Sequence, residues 1–133
     1  MRIPTAELMD FAARYTAAWC SQDAARVGAF YAADGSLTIN DDEPAIGRRA
    51  ITEAAQAFMA AFPDLQVAME RLKVAGNQAE YHWTLTGTNT GHGGKGNRVR
   101  ISGFEVWEFD QDGLIRSSKG RFDSGEYRRQ LSL

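Results

Sequence analysis

Apolar residues recur at helical spacing through the first half of the chain and at alternate positions through the second. After Pro4-Thr5, the residues Leu8, Phe11, Ala12, Tyr15, Ala18 and Trp19 make one stripe of a helix. Ser21-Gln22-Asp23 break it, and a short second helix follows with Val27, Phe30 and Tyr31 inward. "AADGSLTIN", residues 32–40, reads as a turn leading into a short strand, and "NDDEPAIG", residues 40–47, as a loop. A third helix begins at about Arg48, with Ile51, Ala55, Phe58, Met59 and Phe62 as its apolar face, and Pro63 helps to stop it.

The remainder alternates with period two. "LQVAMERLKVA" changes phase near Arg71, which predicts a bulge or bend. Gly76-Asn77 turns the chain into "AEYHWTLTGTNT", where Tyr81, Trp83 and Leu85 oppose His82, Thr84 and Thr86. "GHGGKGN" is a flexible connection, "RVRISGFEVWEF" a third strand, "DQDG" a turn and "LIRSSKGRF" a fourth strand. Helices first and a strand meander later predict an α+β domain, with helices on one face of a curved antiparallel sheet. No linker, repeat or low-complexity segment divides the 133 residues, so residues 1–133 are expected to form a single domain.

One strand carries a conflict. The inward row of "RVRISGFEVWEF" is Val99, Ile101, Gly103, Glu105, Trp107 and Phe109, so a carboxyl sits in an apolar row. Burial there costs several kcal/mol unless the group is paired or neutral. Two readings are open: a structural carboxylate bonded within the fold, or a carboxyl of raised pKa in an apolar cavity, able to donate or take a proton. Stability separates them. A functional carboxyl predicts that Glu105→Leu is as stable as the wild type or more so, whereas a loss above about 2 kcal/mol marks a group that satisfies partners inside the fold. Tyr15, on the first helical stripe, is either a core tyrosine or a second donor to a developing oxyanion beside Glu105.

Composition narrows the classes. A net charge of −2 with scattered Lys and Arg leaves no footprint for nucleic acid or an anionic membrane. Cys20 is alone, so no internal disulfide forms, which fits a reducing compartment. Without a leader-like or membrane-spanning apolar run, a cytoplasmic location is the expectation.

Other titratable residues offer less. His82 faces away from Trp83, toward the outer sheet surface or a subunit contact, and His92 in the glycine-rich loop is expected to be solvated. Neither has acidic or Cys neighbours at ligand spacing, so no metal site and no cofactor are expected. "GHGGKG" lacks phosphate-loop spacing and leads into a strand. Asp123 with Glu126 fits a capping box, and the same carboxylate is a candidate for the pocket mouth. Asp41, Asp42 and Glu43 read as a solvated loop, with Asn40 or Asp41 as a remote candidate for the cavity mouth.

"FPDL" at 62–65, "WTLTGTNTG" at 83–91, "ISG" at 101–103 and "DGLI" at 112–115 resemble the SnoaL-like polyketide cyclases of the nuclear-transport-factor-2-like superfamily. The resemblance implies a cone: a strongly curved, mostly antiparallel sheet packed against three N-terminal helices. "RYTAAW" at 14–19 and "FEVWEFDQDGLIRS" at 104–117 look like the corresponding stretches of ketosteroid isomerases. That likeness implies an oxyanion-hole tyrosine at Tyr15 and a protonated partner acid at Glu105. It places Ile39 where those enzymes carry their general-base aspartate, and Ile39 moves no proton. By the cyclase resemblance, Asp123 falls near an acid/base aspartate, while Ser118 and Lys119 replace a His-Trp pair. Limonene-epoxide hydrolases, more distantly similar, would have an acidic residue at Gly120.

The resulting expectation is an aromatic cavity lined by Tyr15, Trp19, Phe30, Tyr31, Phe58, Trp83, Leu85, Ile101, Glu105, Trp107 and Phe122. As an enzyme the protein would transfer protons on a small hydrophobic carbonyl compound without a cofactor, by aldol ring closure or isomerisation, using Glu105, Tyr15 and Asp123. The alternatives are a module that binds a small hydrophobic ligand without turnover, or a purely structural dimer. A homodimer through the outer sheet face, with Phe104 and Val106 in the contact, is the expected assembly.

Overall fold

A computed structural model describes residues 4–91 and 93–132; His92 lies outside the described residues. Four helices and six strands run in the order α1 (Thr5–Trp19), α2 (Ala24–Gly28), β1 (Tyr31–Ile39), β2 (Ala45–Ile46), α3 (Arg48–Ala61), β3 (Gln66–Ala75), β4 (Gln78–Thr88), β5 (Arg98–Phe109), β6 (Ile115–Phe122) and α4 (Ser124–Ser132). The strands form one curved, unclosed sheet in the order β2-β1-β6-β5-β4-β3. The α+β architecture expected from the sequence is the one observed.

The predicted stripes face the core, with Phe30 and Phe58 only partly buried. Leu8, Phe11, Ala12, Tyr15, Ala18 and Trp19 of α1 all leave solvent, as do Ile51, Ala55 and Met59 of α3. Pairing of β3 with β4 shifts register between Met69 and Arg71. The extra residue resets the phase, so that Val67 and Met69 before it and Leu72 and Val74 after it all pack on the core. Along β5 the row Val99, Ile101, Glu105, Trp107 and Phe109 is buried, with Gly103 half-buried among them.

Four features differ from the sequence reading, the first being that Ala45–Ile46, within the stretch read as a loop, form β2 antiparallel to β1. Tyr31 opens β1 instead of closing the second helix, because α2 stops at Gly28. β1 pairs in parallel with β6, a contact between distant segments that local patterning does not encode. A fourth helix, α4, follows β6. It has no fully buried residue, but Tyr127 and Leu131, four apart on one face, pack against a cluster of Phe62, Leu65, Leu85, Val99 and Ile101.

That cluster is the smaller of two. The larger lies under α1, around Tyr15, Tyr81 and Trp107. Phe58, Val67 and Trp83 touch both, and the space they fail to fill between the clusters is the site. On the opposite sheet face, His82 bonds Glu80 Oε1 at 3.0 Å and stacks on Phe104 with ring centroids 5.5 Å apart. Among the described residues, no helix is long and apolar enough to cross a membrane.

Candidate functional site

A cavity of about 70 Å³ opens between the two clusters, on a scale where one water needs about 10–15 Å³. Its walls come from every layer of the fold. Trp19 descends from α1, Phe58 from α3 and Tyr127 from α4. Leu37 and Ile39 come from β1, Val67 from β3, and Tyr81, Trp83 and Leu85 from β4. Ile101 and Glu105 of β5, with Gly120 and Phe122 of β6, complete it. Glu105 is the only carboxyl among these residues.

The two oxygens of that carboxyl have different surroundings. Oε1 accepts from Ser118 Oγ at 2.6 Å, Tyr15 Oη at 2.9 Å and Trp107 Nε1 at 3.0 Å, with Tyr31 Oη at 3.5 Å. An indole N–H only donates, so Oε1 acts as the acceptor and any proton on the carboxyl resides on Oε2. Oε2 makes no hydrogen bond among the described residues, yet no buried side-chain nitrogen or oxygen there is left unpartnered. Oε2 is therefore not sealed in the interior. Glu105 itself lines the cavity.

Tyr15 and Tyr31 hold the carboxyl and do not line the cavity. Tyr15 spends its hydroxyl hydrogen on Oε1, and Tyr31 lies 2.9 Å from the Tyr15 oxygen, so the chain Tyr31–Tyr15–Glu105 needs only one hydrogen from each phenol. Burial pushes both phenols well above their ordinary range, and the nearby Glu105 charge adds to the effect. Tyr81 presents its ring. Thr16 gives its hydroxyl hydrogen to the Ala12 carbonyl, so the phenol of Tyr81 is the donor to Thr16 Oγ1.

Burial raises the Glu105 pKa above the ordinary carboxyl value, while the bonds from Ser118, Trp107, Tyr15 and Tyr31 pull it back. The native state thus binds this proton more tightly than the unfolded chain does. Its contribution is fully present below the unfolded pKa and is lost as pH rises through the folded one. Expressed as wild type minus Glu105→Gln, so that other carboxylates cancel, stability should decline across that window. Urea titrations of both proteins at stepped pH read it, and a difference that stays flat or rises would contradict it.

Among the residues expected at the site, Trp19, Phe58, Trp83, Leu85, Ile101, Glu105 and Phe122 line the cavity. Tyr15, Phe30, Tyr31 and Trp107 do not line it; they pack behind it in the larger cluster, where Trp107 stacks on Tyr81 at 4.7 Å. Asp123 is exposed, outside the cavity lining, and its Oδ1 accepts the Glu126 N–H at 3.0 Å, so this carboxylate caps α4. The acid/base role that the cyclase resemblance implied for Asp123 has no geometry to carry it. Asn40 accepts the Phe122 N–H and Asp41 pairs with Arg121 at the surface, so neither turns inward, and Ile39 stands in the cavity wall.

Four residues matter that the expected cavity lining left out. Ser118 and Gly120 lie on the inward row of β6 that ends at Phe122, opposite Trp107 and Glu105. Alternation back from Phe122 would have found both. Tyr81 sits two residues before Trp83 on the recognised inward row of β4, so the same period signals it. Tyr127 needed the fourth helix.

A SnoaL-like domain model matches residues 12–118. Curated proteins give no match. Solved structures do. A SnoaL-like polyketide cyclase, so described, from Jannaschia sp. CCS1 superposes with a TM-score of 0.85 at 16% identity, over 99% of this chain and 96% of that one. A protein of ketosteroid-isomerase-like fold from Catenulispora acidiphila DSM 44928, in complex with trimethylamine, gives 0.82 at 17%, over 93% of each. A phenazine biosynthesis-related protein of Pseudomonas aeruginosa gives 0.76 at 18%, over 96% and 89%. At these identities the likeness is one of fold, and function is argued from the cavity. With the family model spanning most of the sequence, the chain belongs to the SnoaL-like domain family.

Proposed function

We propose that this protein is a cofactor-independent proton-transfer enzyme acting on a small hydrophobic carbonyl compound, with Glu105 Oε2 as its acid/base. One observation carries the reading: a carboxyl that lines an apolar cavity has one oxygen held by Ser118, Tyr15 and Trp107 and the other without a hydrogen bond among the described residues. Burial favours the protonated form and the donors on Oε1 favour the ionised one, so the group is poised to gain and lose a proton. When protonated, Oε2–H donates to a substrate carbonyl oxygen. When ionised, with its charge stabilised by the Oε1 donors, Oε2 takes a proton from the adjacent carbon: an O–H bond forms, the C–H bond breaks and the electron pair passes to the substrate as an enolate. Aldol ring closure and double-bond isomerisation both use these steps. The cyclase and phenazine-related neighbours support a biosynthetic setting. Tyr15, Tyr31, Trp107 and Ser118 act as positioning residues.

A second reading, retention of a ligand without turnover, is favoured by Ile39 in the cavity wall, where an isomerase would need its base. Exchange of the α-hydrogens of cyclopentanone for deuterium, followed by proton NMR, decides between them. The enzyme reading expects catalysed exchange that falls at least about 100-fold in Glu105→Gln, the usual scale for a general acid or base. Binding of the ketone with no catalysed exchange would leave the retention reading.

A further inference from the structure

The cavity walls are more specific than a merely apolar site needs. Six aromatic side chains, Trp19, Phe58, Tyr81, Trp83, Phe122 and Tyr127, line the cavity together with Glu105, the one carboxyl among its lining residues. Rings carry negative potential on their faces, and several of them around one carboxylate make a favourable environment for a cation. Yet no Lys, Arg or His among the described residues forms an ion pair with Glu105; the ion pairs there lie at other carboxylates. The donors on Oε1 already stabilise the ionised form, and the countercharge on the Oε2 side is missing.

We infer that the cavity takes a compact amine, bound as an ammonium against Glu105 Oε2 and enclosed by the aromatic walls. This rests on the reading of the cavity as a ligand site with Glu105 as its polar group, and it narrows the ligand to one bearing a basic nitrogen. The chemistry balances without another reactant. A free amine entering beside the protonated acid takes the Oε2 proton on its lone pair: an N–H bond forms, the O–H bond breaks, and a carboxylate is left. An ammonium arriving from solution gives the same pair, with any proton on Oε2 released to water. An exposed ammonium–carboxylate pair is worth little. Here the rings exclude water and add cation–π attraction on the remaining sides.

N-methylpyrrolidine and cyclopentanone, similar in size, test it by titration calorimetry at neutral pH. The amine should bind at least about tenfold more tightly than the ketone, and Glu105→Gln should erase that preference. In parallel, infrared difference spectra of the wild type should show any carboxylic-acid C=O band replaced by carboxylate bands on amine saturation. That signature needs no variant to fold. Equal affinities, a preference that survives Glu105→Gln, or an acid band that persists at saturation would overturn the inference. Gly120→Val, which adds a side chain to the wall opposite Glu105, should abolish binding of both probes. If the ketone binds and is exchanged while the amine binds no better, the amine inference falls and the proton-transfer reading stands. If neither probe binds the wild type, both fall.

Discussion

Glu105→Leu should cost the fold about 2–4 kcal/mol, because it leaves buried neutral donors without their common acceptor. Leucine suits the apolar row and regains some transfer energy, about 1.5–3 kcal/mol at most. Against that, the Trp107 indole N–H, the Ser118 hydroxyl and the Tyr15 hydroxyl lose their common acceptor in a site where water does not replace it. A buried donor left unsatisfied costs about 1–3 kcal/mol; Tyr15 and Ser118 both have Tyr31 as an alternative partner, whereas the Trp107 indole has no other acceptor among the hydrogen bonds described. Glu105→Gln keeps an acceptor oxygen at the Oε1 position and turns its NH₂ toward the cavity, so its cost should be about 1 kcal/mol. Urea unfolding of the three proteins near neutral pH gives the ranking directly. A leucine variant as stable as the wild type would show that the network on Oε1 contributes nothing, and the positioning roles of Ser118, Tyr15 and Trp107 would go with it.

That expectation reverses the one drawn from the sequence, and the reason is specific. Alternation along residues 98–109 showed a carboxyl on an apolar face, which posed structure and function as rivals. The geometry divides the two roles between the two oxygens of one side chain. Ser118 is thirteen residues from Glu105, and alternation back from Phe122 places it on the inward row of β6 without saying which residue it meets there. Periodicity also says which way a side chain faces and not what it meets there. Trp107 and Trp83 share an inward orientation, but Trp107 is sealed under α1, 4.9 Å from the Tyr15 ring, and Trp83 borders the cavity. The strands themselves were legible because packing and period agreed: β5 spans Arg98–Phe109, the segment its alternation outlined. The parallel β1–β6 pair and α4 were not. The first joins segments some eighty residues apart, and the second shows only Tyr127 and Leu131 as an apolar face in a polar stretch.

Gly103→Ala should be the most damaging single-methyl change at the site, costing about 1–3 kcal/mol in stability and disrupting the cavity with it. Gly103 pairs with Trp83 on β4 and with Phe122 on β6, both of them cavity walls. A Cβ built there would stand 2.3 Å from the Arg121 carbonyl oxygen, 2.7 Å from Trp83 Cζ2 and 3.0 Å from Phe122 Cβ. One of those is backbone and another is a large ring already packed at 6.0 Å against Phe122, so no flexible side-chain end absorbs the clash. The absent side chain is what lets the indole lie across β5 beside Glu105. Gly120 supplies the control. It pairs with Glu105 and lines the same cavity, but its Cβ would meet nothing nearer than 3.6 Å, ordinary van der Waals contact. Gly120→Ala should therefore stay within about 0.5–1 kcal/mol of wild type while reducing the space before Oε2. Urea unfolding and ketone affinity, measured on both variants, separate the effects: Gly103→Ala loses both, Gly120→Ala loses affinity alone. If the two variants were equally stable, the close approach of Trp83 and Phe122 over Gly103 would not be what shapes this cavity.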